Sequence, residues 1–174
     1  MKKILSHSEL QSQVDKLAGL LLQNHPNITD VVLIGIQQGG VMLADDIVAA
    51  LKKLQPGLPL HYGQLDITFY RDDIRKEILA PDVMHIPFSI EDKKVILIDD
   101  VLFTGRTIKA ALDALIDLGR PEKIELCVLV DRKEHRQFPI QADYTGVTIE
   151  TNRSEKIKLI KDPAGNKHVV LLSE

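Results

Sequence analysis

The residues best suited to chemistry concentrate in one stretch, residues 95–107, which reads Val-Ile-Leu-Ile-Asp-Asp-Val-Leu-Phe-Thr-Gly-Arg-Thr. The four apolar residues 95–98 predict a buried strand that delivers the carboxylates of Asp99 and Asp100 at its exposed end. Residues 104–107 then lead into a helix, and the backbone N–H groups of such a turn can hold a phosphate. Carboxylates at that position can accept hydrogen bonds from vicinal sugar hydroxyls. The stretch therefore indicates a sugar phosphate as ligand.

Within this stretch, the turn after the acids has the composition of a phosphate-binding loop. Glycine permits a positive φ or a close approach of the backbone to a ligand, and threonine adds a hydroxyl donor. The predicted phosphate-binding residues are Thr104, Gly105, Arg106 and Thr107.

Three other interpretations use the same acids. A receiver domain also has paired aspartates after a strand, but near the start of its domain, whereas only residues 101–174 follow here. A phosphatase of the aspartyl-phosphate type requires Asp-x-Asp, and the residue two after Asp99 is Val101. An acidic cap on the following helix needs only one carboxylate and leaves the rest of the stretch unexplained.

The elements that must position these residues alternate along the chain. Helices are predicted where apolar residues recur at helical spacing, and strands where short β-branched runs occur. The first helix begins with the capping pattern of Ser6 and Glu9. The predicted elements are a helix at 8–24, strands at 31–36 and 60–69, a helix at 41–54, an antiparallel strand at 83–88, a strand at 95–98, a helix from 108 to Gly119, a strand at 124–130, and a hairpin of 157–160 with 168–172.

Alternating strands and helices predict an α/β fold, a parallel sheet flanked by helices, in a single domain spanning residues 1–174. Ligands of such sheets lie beyond the carboxyl ends of the strands, near the topological switch point. The sequence is polar or glycine-rich at three of these ends, residues 36–40, 99–107 and 131–136. We therefore expect these three segments to form the site.

Composition restricts the partners. The net charge of −3 and the pI of about 6.1 argue against nucleic acid as the main ligand, since phosphate binding needs cations. The N-terminus has no signal-peptide core and no apolar run approaches a membrane span, so a cytoplasmic location without membrane contact is expected. Cys127, the single cysteine, is expected to be buried in a strand; alone it forms neither a disulfide nor a zinc site.

Residues 95–107 resemble the signature of type I phosphoribosyltransferases. Further segments, residues 66–73, 111–121, 128–132 and 142–144, resemble the pyrimidine-operon attenuation regulators that double as uracil phosphoribosyltransferases. The resemblance covers most of residues 31–155. It implies a type I phosphoribosyltransferase-like sheet with a small hood and a C-terminal hairpin, and a homo-oligomer, a dimer or higher.

The resemblance also implies a reaction and its ligands. A phosphoribosyl group would pass from 5-phosphoribosyl 1-diphosphate to N1 of uracil, giving UMP and diphosphate. Asp99 and Asp100 would hold the ribose hydroxyls, and residues 104–107 the 5-phosphate. Mg2+ would bind through substrate oxygens, with the two acids supporting it indirectly.

Other site residues follow only from the resemblance. Gln37, Gln38, Gly39 and Gly40 occupy the place of the diphosphate loop, although Gly39 stands where an arginine is usual. That departure suggests weaker substrate binding or a cation donated by a neighbouring subunit. Arg71 and Asp72 would act catalytically at the start of a flexible loop. Asp131, Arg132 and Arg136 would lie at the base pocket, and Phe103 favours a pyrimidine.

Two alternatives remain open. The protein could be a UMP-responsive RNA-binding attenuator, but its first helix contains only Lys16 as a cation, and Gln141 and Val147 stand where basic residues are usual, so RNA binding is disfavoured. It could also transfer the phosphoribosyl group to a purine or another pyrimidine, since base choice depends on few contacts.

Overall fold

The computed structural model describes residues 1–70 and 85–173. The strands of this part of the chain are β1 (Lys2–Leu5), β2 (Val31–Ile36), β3 (His61–Leu65), β4 (Lys94–Leu102), β5 (Lys123–Asp131), β6 (Tyr144–Thr148), β7 (Lys156–Lys161) and β8 (Lys167–Leu172). The α-helices of the same residues are α1 (His7–Asn24), α2 (Gly39–Leu54) and α3 (Arg106–Leu118).

Five strands form a parallel sheet in the order β3-β2-β4-β5-β6. The central strands β2, β4 and β5 are almost wholly buried because helices cover both faces of the sheet. Every pairing in the sheet is parallel, with Leu33 opposite Ile96 and Leu97 opposite Leu126. The predicted α/β architecture is therefore confirmed.

Two hydrophobic layers sandwich this sheet. On one face, alternate residues such as Leu33 and Ile98 pack against the apolar sides of α1 and α2. On the other face, Ile34 and Leu97 pack against α3, whose Leu115 is fully buried. Because the side chains of a strand alternate between its faces, each apolar strand contributes to both layers.

A second, antiparallel sheet joins the ends of the described chain in the order β1-β8-β7. Its β7–β8 pair is the predicted C-terminal hairpin, with Leu159 opposite Val169. The sequence interpretation missed β1, which pairs with β8 through Lys2 and Leu171.

Several predicted boundaries need correction. The strand predicted at 60–69 ends at Leu65, because the Asp66 carboxylate accepts a hydrogen bond from the Thr68 N–H at 2.9 Å and starts a turn. The strand predicted to end before Asp99 continues to Leu102. Helices α2 and α3 each begin two residues earlier than predicted. In the predicted strand 83–88, residues 83 and 84 lie outside the described part, and His85 forms a single antiparallel bridge.

Cys127 is fully buried in β5, as predicted, and burial raises the pKa of its thiol to about 12. A polar cluster lies near the amino end of the same strand. Glu125 accepts hydrogen bonds from the His25 ring at 2.7 Å and from the Tyr144 hydroxyl at 2.9 Å. These contacts join the end of α1 to β5 and β6, so the buried polar groups are satisfied within the fold.

None of the helices in residues 1–70 and 85–173 combines the length and apolar character needed to cross a membrane.

Helix α1 begins with the predicted capping box. The Ser6 hydroxyl accepts from the Glu9 N–H at 3.3 Å, and the Glu9 carboxylate accepts from the Ser6 N–H at 2.8 Å. These bonds satisfy backbone donors that the first turn of a helix otherwise leaves unpaired.

We expect Ser6→Ala to lower the free energy of unfolding by about 1 kcal/mol, the usual contribution of a helix cap. Urea unfolding followed by circular dichroism measures this change. Ser12→Ala is the matched control, since Ser12 is exposed on the same helix and its hydroxyl donates only to the Ser8 carbonyl. Equal stability of the two variants would contradict the capping role.

Candidate active site

The three predicted polar segments meet at one edge of the parallel sheet. Strand β4 lies between β2 and β5, with Gly35 opposite Ile98 and Leu102 opposite Asp131. Because the strands are parallel, their carboxyl ends face the same side. The turn after β2, the acids of β4 and the loop after β5 are therefore neighbours.

The glycine turn after β2 contacts both acids. A β-carbon at position 39 would lie 2.1 Å from Oδ2 of Asp100, and one at position 40 would lie 3.2 Å from Oδ1 of Asp99. Gly39 is also the first residue of α2, so the carboxylates lie beside the positive end of that helix. The absence of side chains at these two positions makes this close approach sterically allowed.

The two acids differ in their environments. Asp99 is 6% exposed, and its Oδ1 accepts the N–H of Asp100 at 3.0 Å. Asp100 is partly exposed, and its Oδ1 accepts the N–H of Val101 at 3.0 Å. Burial raises the pKa of Asp100, while hydrogen bonds with Asp99 and with the backbone of Leu159 oppose the rise. Asp99 is thus more enclosed than predicted, and Asp100 is the acid better placed to meet a ligand.

A cleft of about 130 Å³ adjoins these acids and is lined by residues 101–108. Gly105 adopts a φ of +91°, the left-handed region that favours glycine, and it forms the cap before α3. In the described structure the first turn of α3 has no acidic side chain, and its N-cap residue is a glycine; the Arg106 N–H donates to Oγ1 of Thr104 at 3.3 Å. Its N-terminus therefore offers partial positive charge to an anion.

The loop after β5 holds this turn in place. The backbone N–H groups of Gln137 and Phe138 donate to the Thr104 carbonyl at 2.8 and 3.2 Å. The Arg106 Nε donates to the Gln137 side chain at 2.8 Å, and its guanidinium lies 5.6 Å from the centre of the Phe138 ring. Arg106 thus points along the loop, while its backbone belongs to the cleft.

Arg136 joins the turn that precedes α3 to the end of β5. Its Nη2 donates to Oδ1 of the buried Asp131 at 2.5 Å, and its Nη1 donates to the Phe103 carbonyl. The guanidinium is therefore used inside the protein and fixes the residue that precedes the turn.

Arg132 is also used internally, since it is only 2% exposed. Its guanidinium lies 3.7 Å from the centre of the Phe103 ring, and its Nε donates to Oγ1 of Thr151 at 2.6 Å. Burial lowers the pKa of Arg132, and the charges of Glu134 and Glu155 oppose that effect.

The structure brings most predicted site residues together. The turn at 37–40, the acids, the cleft and the loop after β5 all lie at one sheet edge. The charged groups of Asp131, Arg132 and Arg136 all have partners within the protein, which the sequence did not predict. Arg136 binds Asp131, and Arg132 binds Thr151. Arg71 and Asp72 lie outside the described residues.

Sequence reasoning missed the residues that fix the turn before α3 through their backbones, Gln137 and Phe138, and the approach of Leu159 to Asp100. Backbone contacts leave no composition signal. The one available signal was the apolar run at 138–140, which follows the polar residues 132–137.

Comparison with known proteins agrees with this geometry. Residues 1–163 match the family model described as phosphoribosyl transferase domain. The chain is 45% identical over 173 residues to a protein of Geobacter sp. (strain M21) named bifunctional protein PyrR, covering 98% of this chain and 97% of the relative. It is 44% identical to the protein of that name from Chloroflexus aurantiacus, covering 98% and 94%.

Solved structures support the fold. The hypoxanthine phosphoribosyltransferase of Trypanosoma cruzi superimposes with a TM-score of 0.74 at 19% identity, covering 99% of this chain and 97% of that one. A hypoxanthine phosphoribosyltransferase of Staphylococcus aureus gives 0.69 at 24% identity, covering 87% and 80%. From the family model and the full-length relatives together, the chain belongs to the phosphoribosyltransferase family and, within it, to the bifunctional PyrR proteins.

Proposed function

We propose that the protein transfers the phosphoribosyl group of 5-phosphoribosyl 1-diphosphate to uracil, forming UMP and diphosphate. The observation that carries the proposal is the contact of the paired acids Asp99 and Asp100 with the glycine turn of α2, beside the anion-binding start of α3. A sugar with phosphate at one end and diphosphate at the other needs two anion-binding sites, with acceptors for its hydroxyls between them.

In this proposal the cleft at 101–108 binds the 5-phosphate. The backbone amides at the start of α3 and the hydroxyls of Thr104 and Thr107 supply donors without adding negative charge. The turn enters the helix through Gly105, so the backbone can lie close to the phosphate.

Asp99 and Asp100 accept hydrogen bonds from the ribose hydroxyls. Bonds to an ionised acceptor are about twice as strong as neutral ones, and they orient the sugar relative to both phosphates. The diphosphate then lies toward the turn at 37–40, where the start of α2 supplies backbone donors and partial positive charge.

The donor set fits Mg2+ bound with substrate. Carboxylate oxygens suit this ion, which typically takes one or two carboxylates and completes its shell with substrate phosphates and water. The described residues contain no group of three His, Cys, Asp or Glu side chains that would hold a metal without substrate. Asp99 and Asp100 would support the ion, which when bound offsets the charge of the departing diphosphate.

In the reaction the bond between sugar C1 and the diphosphate oxygen breaks, and the electron pair leaves with diphosphate. A bond forms between C1 and N1 of uracil, and the N1 proton is released. The protein contributes mainly by positioning the reactants and by stabilising charge that develops at the sugar.

Aromatic and cationic residues next to the cleft would line one side of the pocket for the uracil base. Phe103 carries Arg132 on its face and the edge of the His135 ring at 5.4 Å between ring centres. Arg136 fixes the Phe103 backbone. We propose that these residues shape the base pocket. Arg132 and Arg136 position Phe103, and their own charges bind groups of the protein rather than the base.

Purified protein incubated with 5-phosphoribosyl 1-diphosphate, Mg2+ and uracil should form UMP, measured by chromatography. Asp99→Asn/Asp100→Asn should reduce the rate by about 100-fold or more, because each lost charge-assisted hydrogen bond is worth about 1.5–3 kcal/mol. Asp113→Asn is the control, since this partly exposed acid on α3 pairs with Lys109 at 2.6 Å. Absence of any nucleotide product with a panel of bases would refute the proposal.

Arg136→Met should raise the KM for 5-phosphoribosyl 1-diphosphate by about tenfold. The substitution breaks the hydrogen bonds of Arg136 to Asp131 and Phe103, which frees the phosphate-binding turn at 104–107 to move. Arg136→Lys should recover part of the loss by keeping one donor. Initial rates over a range of substrate concentrations separate KM from kcat. Lys133→Ala, at an exposed neighbouring position, serves as control. Unchanged KM in a folded Arg136→Met protein would exclude the positioning role.

The second candidate function is UMP-responsive binding to a pyrimidine-operon transcript, since the full-length relatives are named bifunctional. Two cations expected to serve it are used elsewhere. Lys16 donates to the Gly146 carbonyl at 2.7 Å, and Arg136 binds Asp131 and Phe103. These contacts favour transfer chemistry as the main activity.

We therefore expect weak binding to leader RNA. Because each phosphate contact adds to the salt dependence of binding, the loss of Lys16 and Arg136 as phosphate contacts should give a shallow salt slope. Filter binding across about 50–200 mM salt, with and without UMP, measures it. Tight, UMP-enhanced binding with a steep slope would establish RNA regulation as the main role instead.

A further inference from the structure

We propose that Gly39 is a positioning residue. The missing side chain at position 39 leaves the space in which the Asp100 carboxylate rests, and so determines where that carboxylate meets the ribosyl diphosphate. The inference rests on the proposed function and deepens it, since it concerns how this chain's own diphosphate loop places an acid.

The space is filled by the whole carboxyl group. A β-carbon at position 39 would lie 2.1 Å from Oδ2, 2.3 Å from Cγ and 2.7 Å from Oδ1 of Asp100. Separations this short lie far inside the contact distance of about 3.5–4.0 Å between carbon atoms. The observed orientation of Asp100 and any side chain at position 39 therefore exclude each other.

The neighbouring glycine presents a different constraint. A β-carbon at position 40 would meet the backbone of β4, at 2.5 Å from the Ile98 carbonyl oxygen and 3.0 Å from the Cα of Asp99. A central strand cannot shift by that amount without disturbing its packing. At position 39 the obstacle is a side chain that can rotate. Gly40 thus protects the fold, whereas Gly39 protects the placement of one carboxylate.

Neighbouring backbone groups and the start of α2 stabilise the observed position of the Asp100 carboxylate. Its Oδ1 accepts the Val101 N–H at 3.0 Å, and the nearby backbone of Leu159 favours its ionised form by lowering its pKa. Gly39 opens α2, and the positive end of that helix attracts the carboxylate. A side chain at position 39 would push the carboxylate away from these partners.

This arrangement gives the departure at position 39 a physical meaning. An arginine placed there would have its β-carbon inside the Asp100 carboxylate before its cation could reach a ligand. The loop in this chain therefore combines an acid resting on the turn with a missing side chain, and the two features depend on each other.

A double-mutant cycle tests the dependence. Wild type, Gly39→Ala, Asp100→Ala and the double variant are titrated calorimetrically with 5-phosphoribosyl 1-diphosphate and Mg2+. We expect Gly39→Ala to weaken binding about tenfold when Asp100 is present and less than about twofold when it is alanine. Equal weakening in both backgrounds would overturn the proposal.

Two other glycine substitutions calibrate the cycle. Gly19 lies on the exposed face of α1 with open space around it, so Gly19→Ala should leave binding unchanged. Gly40→Ala should lower the melting temperature, whereas Gly39→Ala should leave it near that of wild type. A large loss of stability in Gly39→Ala would show that the residue supports the fold rather than the carboxylate.

A crystal structure of Gly39→Ala decides the case independently of ligand affinity. The Asp100 side chain should be rotated away from position 39, and an unmoved side chain would overturn the inference. If wild type binds neither 5-phosphoribosyl 1-diphosphate nor UMP, the proposed function fails, while the crystal structure still tests the link between the two residues. If Asp100→Ala alone abolishes binding, the double-mutant cycle cannot be read, and the crystal structure of Gly39→Ala then provides the test.

Discussion

The strand order of the parallel sheet is the constraint on which the site depends. The chain leaves β2 in one direction to form β3 and returns to the other side of β2 with β4. The connections after β2 and β4 therefore diverge to opposite faces, with α2 on one and α3 on the other. The crevice opened by this divergence receives two helix N-termini and two carboxylates, which is why a ligand with anionic groups at both ends of a sugar suits it.

The positively charged side chains near this crevice form hydrogen bonds with other groups of the protein. Among the described residues, three arginines near the crevice bind protein groups: Arg106 binds Gln137, Arg132 binds Thr151, and Arg136 binds Asp131 and the Phe103 carbonyl. In the proposed function the anions therefore bind mainly to backbone amides and helix ends, which need no flexible side chain to be ordered on binding. Such a site is preorganised, and its geometry depends on the loop after β5 more than on residues that would touch the ligand.

The sequence allowed the parallel sheet, its three polar strand ends and the terminal hairpin to be predicted, because buried strands and helix patterns are local signals. It did not reveal β1, whose partner Leu171 lies at the other end of the chain, nor β6, a short strand containing glycine. The positions of the acids and of the turn before α3 were predicted from residue type, and phosphate binding by that turn stays a prediction. The internal use of Arg136 was not, because a sequence shows a charge without showing its partner.

The buried thiol of Cys127 gives the sheet a built-in reporter. Only the thiolate reacts readily with alkylating reagents, and burial raises the pKa of this group to about 12, so labelling requires β5 to separate from its neighbours. The labelling rate therefore follows how often the strand layer opens. A ligand that binds only the closed form must slow the rate by the factor one plus its concentration over Kd. Since this is the only cysteine in the sequence, occupancy of the strand-end crevice can be followed from the middle of the core, without any turnover.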